Sequence, residues 1–157
     1  MIPAYACAFV STIVVSYLSD RYQNRGLVML ANCAIGMITF LIQACVSSPS
    51  LRLRYAMLII SSCSTFASLP VVGAWISDNV HTTTAAALAN GLNITFAGPG
   101  QIVGVWIYKD TQAPRYQLGH GVNAGAMALS GLISFSLWLF YRRKNAVLPS
   151  GAHKWVA

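Results

Sequence analysis

The sequence predicts an all-α integral membrane protein with five transmembrane helices. Of its 157 residues, 56% are hydrophobic and 8% are charged, whereas about a quarter of the residues in a typical soluble domain are charged. So few polar groups could not cover the surface of a soluble domain of this length. The chain is also divided into uncharged apolar runs whose lengths match a hydrocarbon core roughly 30 Å thick. Both observations argue against a soluble globular core.

The five apolar runs lie at residues 2–18, 26–46, 55–76, 85–108 and 122–141. They are too long for barrel strands and lack strand-like alternation. The first run is not a typical signal peptide, because no basic residue precedes it and Asp20 follows directly. Five is an unusual number of spans, and the chain begins inside an apolar run. We therefore expect residues 1–157 to be the partial C-terminal transmembrane domain of a longer transmembrane protein.

The charges lie in the links between the runs. Lys and Arg number 10 against 3 Asp, a net charge of +7. These basic residues flank the runs and form no stripe, so they indicate membrane flanks and no nucleic-acid partner. Short links require antiparallel neighbours, which places six basic residues on the side of the C-terminal tail and four on the other. We predict that residues 142–157 and 19–25 lie in the cytoplasm and that 109–121 lie outside.

The first link, within SYLSDRYQNRG at residues 16–26, concentrates three charges. Asp20 ends one apolar helix, and Arg21 and Arg25 lead into the next. An acid in this position can make charge-assisted contacts with the arginines and with the positive N-terminal end of the second helix. Two interpretations stay open: a cluster whose contacts change between two conformations, or an ordinary charged turn that keeps two helix ends in water.

The run at 85–108 carries polar and small residues on one face. On a helix, Asn90, Asn93 and Gln101 fall with several Gly and Ala residues within an arc of about 100°. Amides facing lipid are costly, so this stripe should face protein or water. The mid-span sequence at 98–100, Gly-Pro-Gly, permits bending. These three amides are our candidate substrate-binding residues, although close helix packing is the alternative explanation.

SYLSDRYQNRG resembles the cytoplasmic-loop signature of the major facilitator superfamily, roughly G-x-L-x-D-R-x-x-x-R. Leu18, Asp20, Arg21 and Arg25 match, and Ser16 stands where glycine is usual. The resemblance implies that the chain holds helices eight to twelve of a twelve-helix major facilitator fold. It also implies that Asp20, Arg21 and Arg25 form a conformational-gating loop.

Two further segments resemble one family within this superfamily. TQAPRYQLGHG, at 111–121, is similar to the A-P-x-Y-x-x-G-H segment before the last helix of fungal anion:cation symporters, which carry allantoate, nicotinate, pantothenate and related organic anions. NGLNITFAGPGQIVGVWIY, at 90–108, is similar to their eleventh helix. One departure is His-Thr-Thr-Thr at 81–84, where many relatives have H-T-K-R. It puts in doubt any gating contact made by those basic residues.

The resemblance implies a secondary active transporter that moves a small organic anion, vitamin or allantoate-like, by proton symport. Its expected partners are the lipid bilayer, the anion, the proton and the missing N-terminal half of the carrier, and the plasma membrane is preferred over an internal membrane. None of the five runs contains Asp, Glu, Lys, Arg or His. The anion-binding and proton-carrying groups are therefore expected in the missing helices.

Other functions find less support in the sequence. A membrane enzyme would need paired acids, a nucleophile or a metal cluster, but the three aspartates lie on separate links. The four cysteines fall in apolar runs without metal-ligand spacing. We therefore expect no catalytic residue, no metal and no cofactor. A truncated, non-transporting remnant of such a carrier remains as the alternative.

Overall fold

The computed structural model describes residues 2–45, 51–113, 115–148 and 154–156. In these ranges the chain forms five α-helices, which confirms the all-α prediction. A short 3₁₀ helix, Asp110–Gln112, lies in the link before the last α-helix. The α-helices are α1 (Ile2–Tyr22), α2 (Arg25–Cys45), α3 (Leu51–Asp78), α4 (Thr83–Trp106) and α5 (Gln117–Val147). The predicted end of the second run at residue 46, the adjoining link 47–50 and Pro114 of the 111–121 motif lie outside the described residues.

Three helices, α1, α3 and α5, extend well beyond the apolar runs that predict them. α3 begins at Leu51, whereas its run begins at 55, and α5 begins at Gln117, whereas its run begins at 122. A backbone entering the interface gains from continuing its own hydrogen bonds, so a helix does not have to end at its first charge. As a result, Arg54 and His120 are helical residues and not link residues.

Four helices are long and apolar enough to cross a membrane: Ile2–Tyr22, Arg25–Cys45, Arg52–Asp78 and Gln117–Val147. They support an integral, multi-pass membrane protein. α4 is not among them, although it has 24 residues. Its polar stripe and its Gly-Pro-Gly sequence reduce its hydropathy below that of the other helices. The fifth predicted span therefore stays a prediction.

α2 is the central helix of the bundle and packs against both α5 and α3, while α1 packs against α3. Glycine permits the close approach of α2 and α5. A Cβ atom on Gly26 would lie 2.8 Å from Trp138, and one on Gly36 would lie 3.2 Å from Met127. Small residues at such positions let helix backbones approach within a membrane, where dispersion contacts help to drive association.

α4 lies at the edge of the bundle. It packs against α3, and none of its residues is buried. At its start, the Thr82 hydroxyl accepts a hydrogen bond from the Ala85 amide at 3.3 Å, as expected for an N-cap threonine. A predicted pathway helix thus has both its polar stripe and its apolar side largely exposed in the isolated chain.

Candidate functional site

An ion cluster joins the ends of three helices. Arg25 opens α2, and its Nη1 lies 2.8 Å from Asp20 Oδ1 at the end of α1. Its Nε donates to Asp78 Oδ2, at the end of α3. The Arg25 side chain is 11% exposed, against 64% for Asp20 and 33% for Asp78. Arg25 is therefore the shared, largely buried cation of the cluster.

The ion cluster contains Asp20 and Arg25 of the predicted gating loop, together with Asp78. Among the described residues, both ion pairs are made by Arg25. Arg21 is exposed, and its Nη1 donates to the Tyr17 hydroxyl at 3.4 Å, one turn back on α1. Asp78 was not predicted as a member. The available signal was its position at the end of the third run, which antiparallel packing brings to the same end of the bundle as the first link.

The α4 stripe is divided between two surroundings. Asn90 is half-buried and donates to the Ser77 hydroxyl of α3 at 2.9 Å. This contact is the interhelical amide bond that a packing role predicts. Asn93 lines a cavity of about 390 Å³ between α2, α3, α4 and α5. Gln101 is exposed, about two turns beyond Asn93. The structure thus brings Asn90 and Asn93 to the α3 side, while Gln101 lies apart from them.

The cavity at Asn93 has a mixed wall. Aromatic, amide and hydroxyl side chains share it with aliphatic ones, and no Asp, Glu, Lys or Arg is among the described residues that line it. Its polar members are Trp75, Asn79, Asn93, Ser130, Ser134 and Tyr141. Such a wall offers several hydrogen-bond donors to a small polar ligand but no full positive charge.

A C-terminal strap, residues 154–156, lies at the end of this cavity. The Asn79 side chain exchanges two hydrogen bonds with the Val156 backbone, at 3.1 Å to its carbonyl and 3.0 Å from its amide. Asn145 makes the same exchange with the Trp155 backbone, at 2.7 and 2.8 Å. Two side-chain amides therefore hold the strap in the way that a neighbouring strand would.

Aromatic contacts hold the strap as well. The Trp155 ring stacks on Tyr141, with centroids 5.8 Å apart, and Lys144 Nζ lies 4.7 Å from the Trp155 centroid. Trp75 Nε1 donates to the Val156 carbonyl at 2.9 Å. In the sequence, this segment is recognisable only as part of a basic tail. No local pattern could reveal that its backbone pairs with Asn79, directly after α3, and with Asn145 on α5.

These contacts also test the predicted arrangement of the links. Arg25 meets Asp78, Asn79 meets Val156, and the Trp138 indole donates to Asn24 at 3.2 Å. The first link, the third link and the C-terminal strap therefore share one end of the bundle, as antiparallel neighbours require.

A larger cavity, the aromatic groove, lies toward the opposite end of the bundle. Its volume is about 670 Å³, and it is bounded by α2, α3, α5 and the link before α5. It has aromatic and polar walls, with one arginine and one histidine. Its lining includes Gln43, Arg54, Tyr55, Ser61, Phe66, Tyr108, Tyr116, His120 and Asn123.

Arg54 and His120 lie outside the apolar runs, so the pattern of runs does not indicate this groove. Both are helical, and both line the cavity. The expectation that the anion-binding groups lie in the missing helices stays a prediction. The remaining signal was the 111–121 motif, whose His120 and Tyr116 lie on the groove wall.

Four long apolar helices define a multi-pass helical membrane protein. Comparison with known proteins narrows this class. The chain is 39% identical over 146 residues, 92% of its length, to MFS transporter prlL of Fungal sp. (strain NRRL 50135). It is 31% identical over 147 residues, 91% of its length, to MFS-type transporter cnsO of Penicillium expansum.

A third relative is an uncharacterized transporter, C11D3.18C of Schizosaccharomyces pombe, at 26% identity over 92% of this chain. The chain spans 30%, 28% and 28% of the lengths of these three relatives. No family model matches the chain, and no solved structure matches it significantly. The first two relatives are named as MFS transporters and the third as a transporter.

Proposed function

We propose that the chain is part of a secondary active transporter that moves a small organic anion, vitamin or allantoate-like, across a membrane by proton symport. The observation that carries this proposal is the similarity, over nine-tenths of the chain, to two proteins named MFS transporters. Because the chain spans less than a third of either relative, its partner in transport is the remaining part of such a carrier, including an N-terminal half. We place the carrier in the plasma membrane.

In this proposal the ion cluster acts in gating. Arg25 ties the end of α1 to the end of α3 through Asp20 and Asp78. When helices move against one another in alternating access, the cluster stabilises the conformation in which these ends lie together. Asp20 of the cluster and the neighbouring Arg21 are exposed, so an approaching helix end of the other half can contact them.

The α4 stripe acts in substrate binding. Asn93 faces a cavity, and Gln101 lies on an exposed surface that the other half of a carrier would cover. Side-chain amides can donate two hydrogen bonds each to a carboxylate. Asn90 already bonds Ser77, so it would position α4 as well as line the path.

The test is a chimera in which this chain replaces the aligned segment of MFS transporter prlL. Uptake of a panel of labelled organic anions is measured in sealed vesicles with and without a proton gradient. We expect saturable, gradient-dependent uptake that Asn93→Leu reduces at least tenfold. The matched control is Ile94→Leu, at an exposed position beside it on α4.

Two outcomes would contradict the proposal. Uptake that does not depend on the proton gradient would contradict proton symport. A chimera that inserts but transports nothing, while intact prlL transports, would favour the alternative of a non-transporting remnant, with which the length of the chain is also consistent.

A further inference from the structure

We propose that the aromatic groove is a binding site for an organic anion with an aromatic body, separate from the α4 stripe. Its volume of about 670 Å³ falls within the range of small-molecule sites, roughly 300–1,000 Å³. The inference concerns binding alone and can be tested without transport. It can therefore fail while the proposed function stands, and the reverse also holds.

The charge of the groove selects an anion. Among the residues that the structure describes, Arg54 and His120 line it, and neither Asp nor Glu does. The two acids of the ion cluster lie at the other end of the bundle. A guanidinium offers a planar fork of donors that matches the two oxygens of a carboxylate. In surroundings of low dielectric constant, such a contact is stronger than in water.

Hydrogen bonds connect the polar side chains in the wall of the groove. Asn123 Nδ2 donates to the Tyr108 hydroxyl at 2.8 Å, and that hydroxyl lies 3.3 Å from His120 Nδ1. On the facing wall, Gln43 Nε2 lies 3.5 Å from the Ser61 hydroxyl. Polar groups on membrane helices are costly unless they have a role or a partner. Here they converge on one cavity from three helices and a link.

The Tyr108 ring packs against α5 at a glycine, Gly119. A Cβ atom at Gly119 would lie 2.7 Å from the Tyr108 ring, so only glycine lets the tyrosine lie against α5. The ring also makes an edge contact with His120, with centroids 5.4 Å apart. The link before α5 is thus held across the groove and closes one side of it.

The aromatic walls select the body of the ligand. Tyr55 and Phe66 on α3 face the groove together with Tyr108 and Tyr116 from the link. Aromatic rings bind flat apolar groups by offset-stacked or edge contacts. A carboxylate at Arg54 and a ring among these side chains describe one ligand class, an aromatic carboxylate. An anionic lipid shares its charge and its apolar character.

The test uses 3-phenylpropionate as the probe and its uncharged amide as the matched ligand. Binding to the 157-residue chain is measured by calorimetry in phosphatidylcholine nanodiscs. We expect Arg54→Gln to weaken binding of the carboxylate about 10- to 100-fold, the loss of a charge-assisted contact. Binding of the amide should change less than about threefold, which shows that the variant keeps the groove. Arg52→Gln, at an exposed position outside the groove lining, is the control.

Three results would overturn the inference. The first is equal carboxylate binding by the wild-type chain and Arg54→Gln. The second is equal loss in Arg52→Gln, which would indicate a general surface-charge effect. In the third, phosphatidylglycerol nanodiscs abolish probe binding in the wild-type chain, and the headgroup of an anionic lipid is then the occupant. Carboxylate binding that survives phosphatidylglycerol and requires Arg54 supports a soluble anion.

Discussion

Replacing Asp78 by Asn should destabilise the helix bundle more than replacing Asp20 by Asn. Both acids pair with Arg25, and a sequence-based choice would favour Asp20, which lies in the recognisable loop. The exposed fractions reverse that order, because the Asp20 side chain is 64% exposed and the Asp78 side chain 33%. The cation that they share is 11% exposed. The cost of burying this positive charge is therefore compensated mainly by the less exposed acid, Asp78.

The expected magnitudes follow from these exposures. An exposed ion pair contributes about 0–1 kcal/mol, so Asp20→Asn should cost less than about 1 kcal/mol of unfolding free energy. Loss of the partner of a largely buried charge costs about 1–3 kcal/mol, so we expect about 2 kcal/mol for Asp78→Asn. The double variant should cost more than the sum of the two, because each acid partly compensates for loss of the other.

The assay is equilibrium unfolding of the purified chain in mild detergent, titrated with a denaturing detergent and followed by tryptophan fluorescence. Arg21→Gln is the control and should change stability by less than about 0.5 kcal/mol, as for other surface substitutions. Repeating the titration at high salt should reduce the effect of Asp20→Asn more than that of Asp78→Asn. Equal costs for the two variants, or a larger cost for Asp20→Asn, would refute the reasoning from burial.

Three further predictions concern the strap, the helix packing and the topology. Trp155→Ala should release the C-terminal strap, and trypsin should then cleave the tail several-fold faster. An unchanged cleavage rate would show that the Trp155 ring does not hold the strap. Gly26→Val should cost about 1–3 kcal/mol through its clash with Trp138, whereas Gly125→Val, which meets open space, should cost far less in the same thermal-melting measurement. A tag on the C-terminus should be protected from external protease in sealed cells and a tag in the link before α5 should be cleaved; the opposite pattern would contradict the predicted orientation.

The sequence by itself determined the class and the number of helices. Uncharged runs of membrane-spanning length require backbone hydrogen bonds within each segment, so each run predicts a helix without reference to any other. Short links then determine that neighbours run antiparallel and which links share an end. The ion cluster could be half predicted on this basis: Asp20 and Arg25 are close in sequence, and their pair at 2.8 Å is local.

Only the tertiary structure decided which distant side chains meet. Asp78 as the second partner of Arg25, Asn79 as the partner of the strap and Arg54 as part of the groove each depend on contacts between helices. The sequence also misplaced the ends of α3 and α5, since charge marks where a helix meets water and not where its hydrogen bonding stops. The rotation of one helix against another depends on how side chains of distant segments fill the space between them. That packing has no period within a single segment, so no local pattern in the sequence records it.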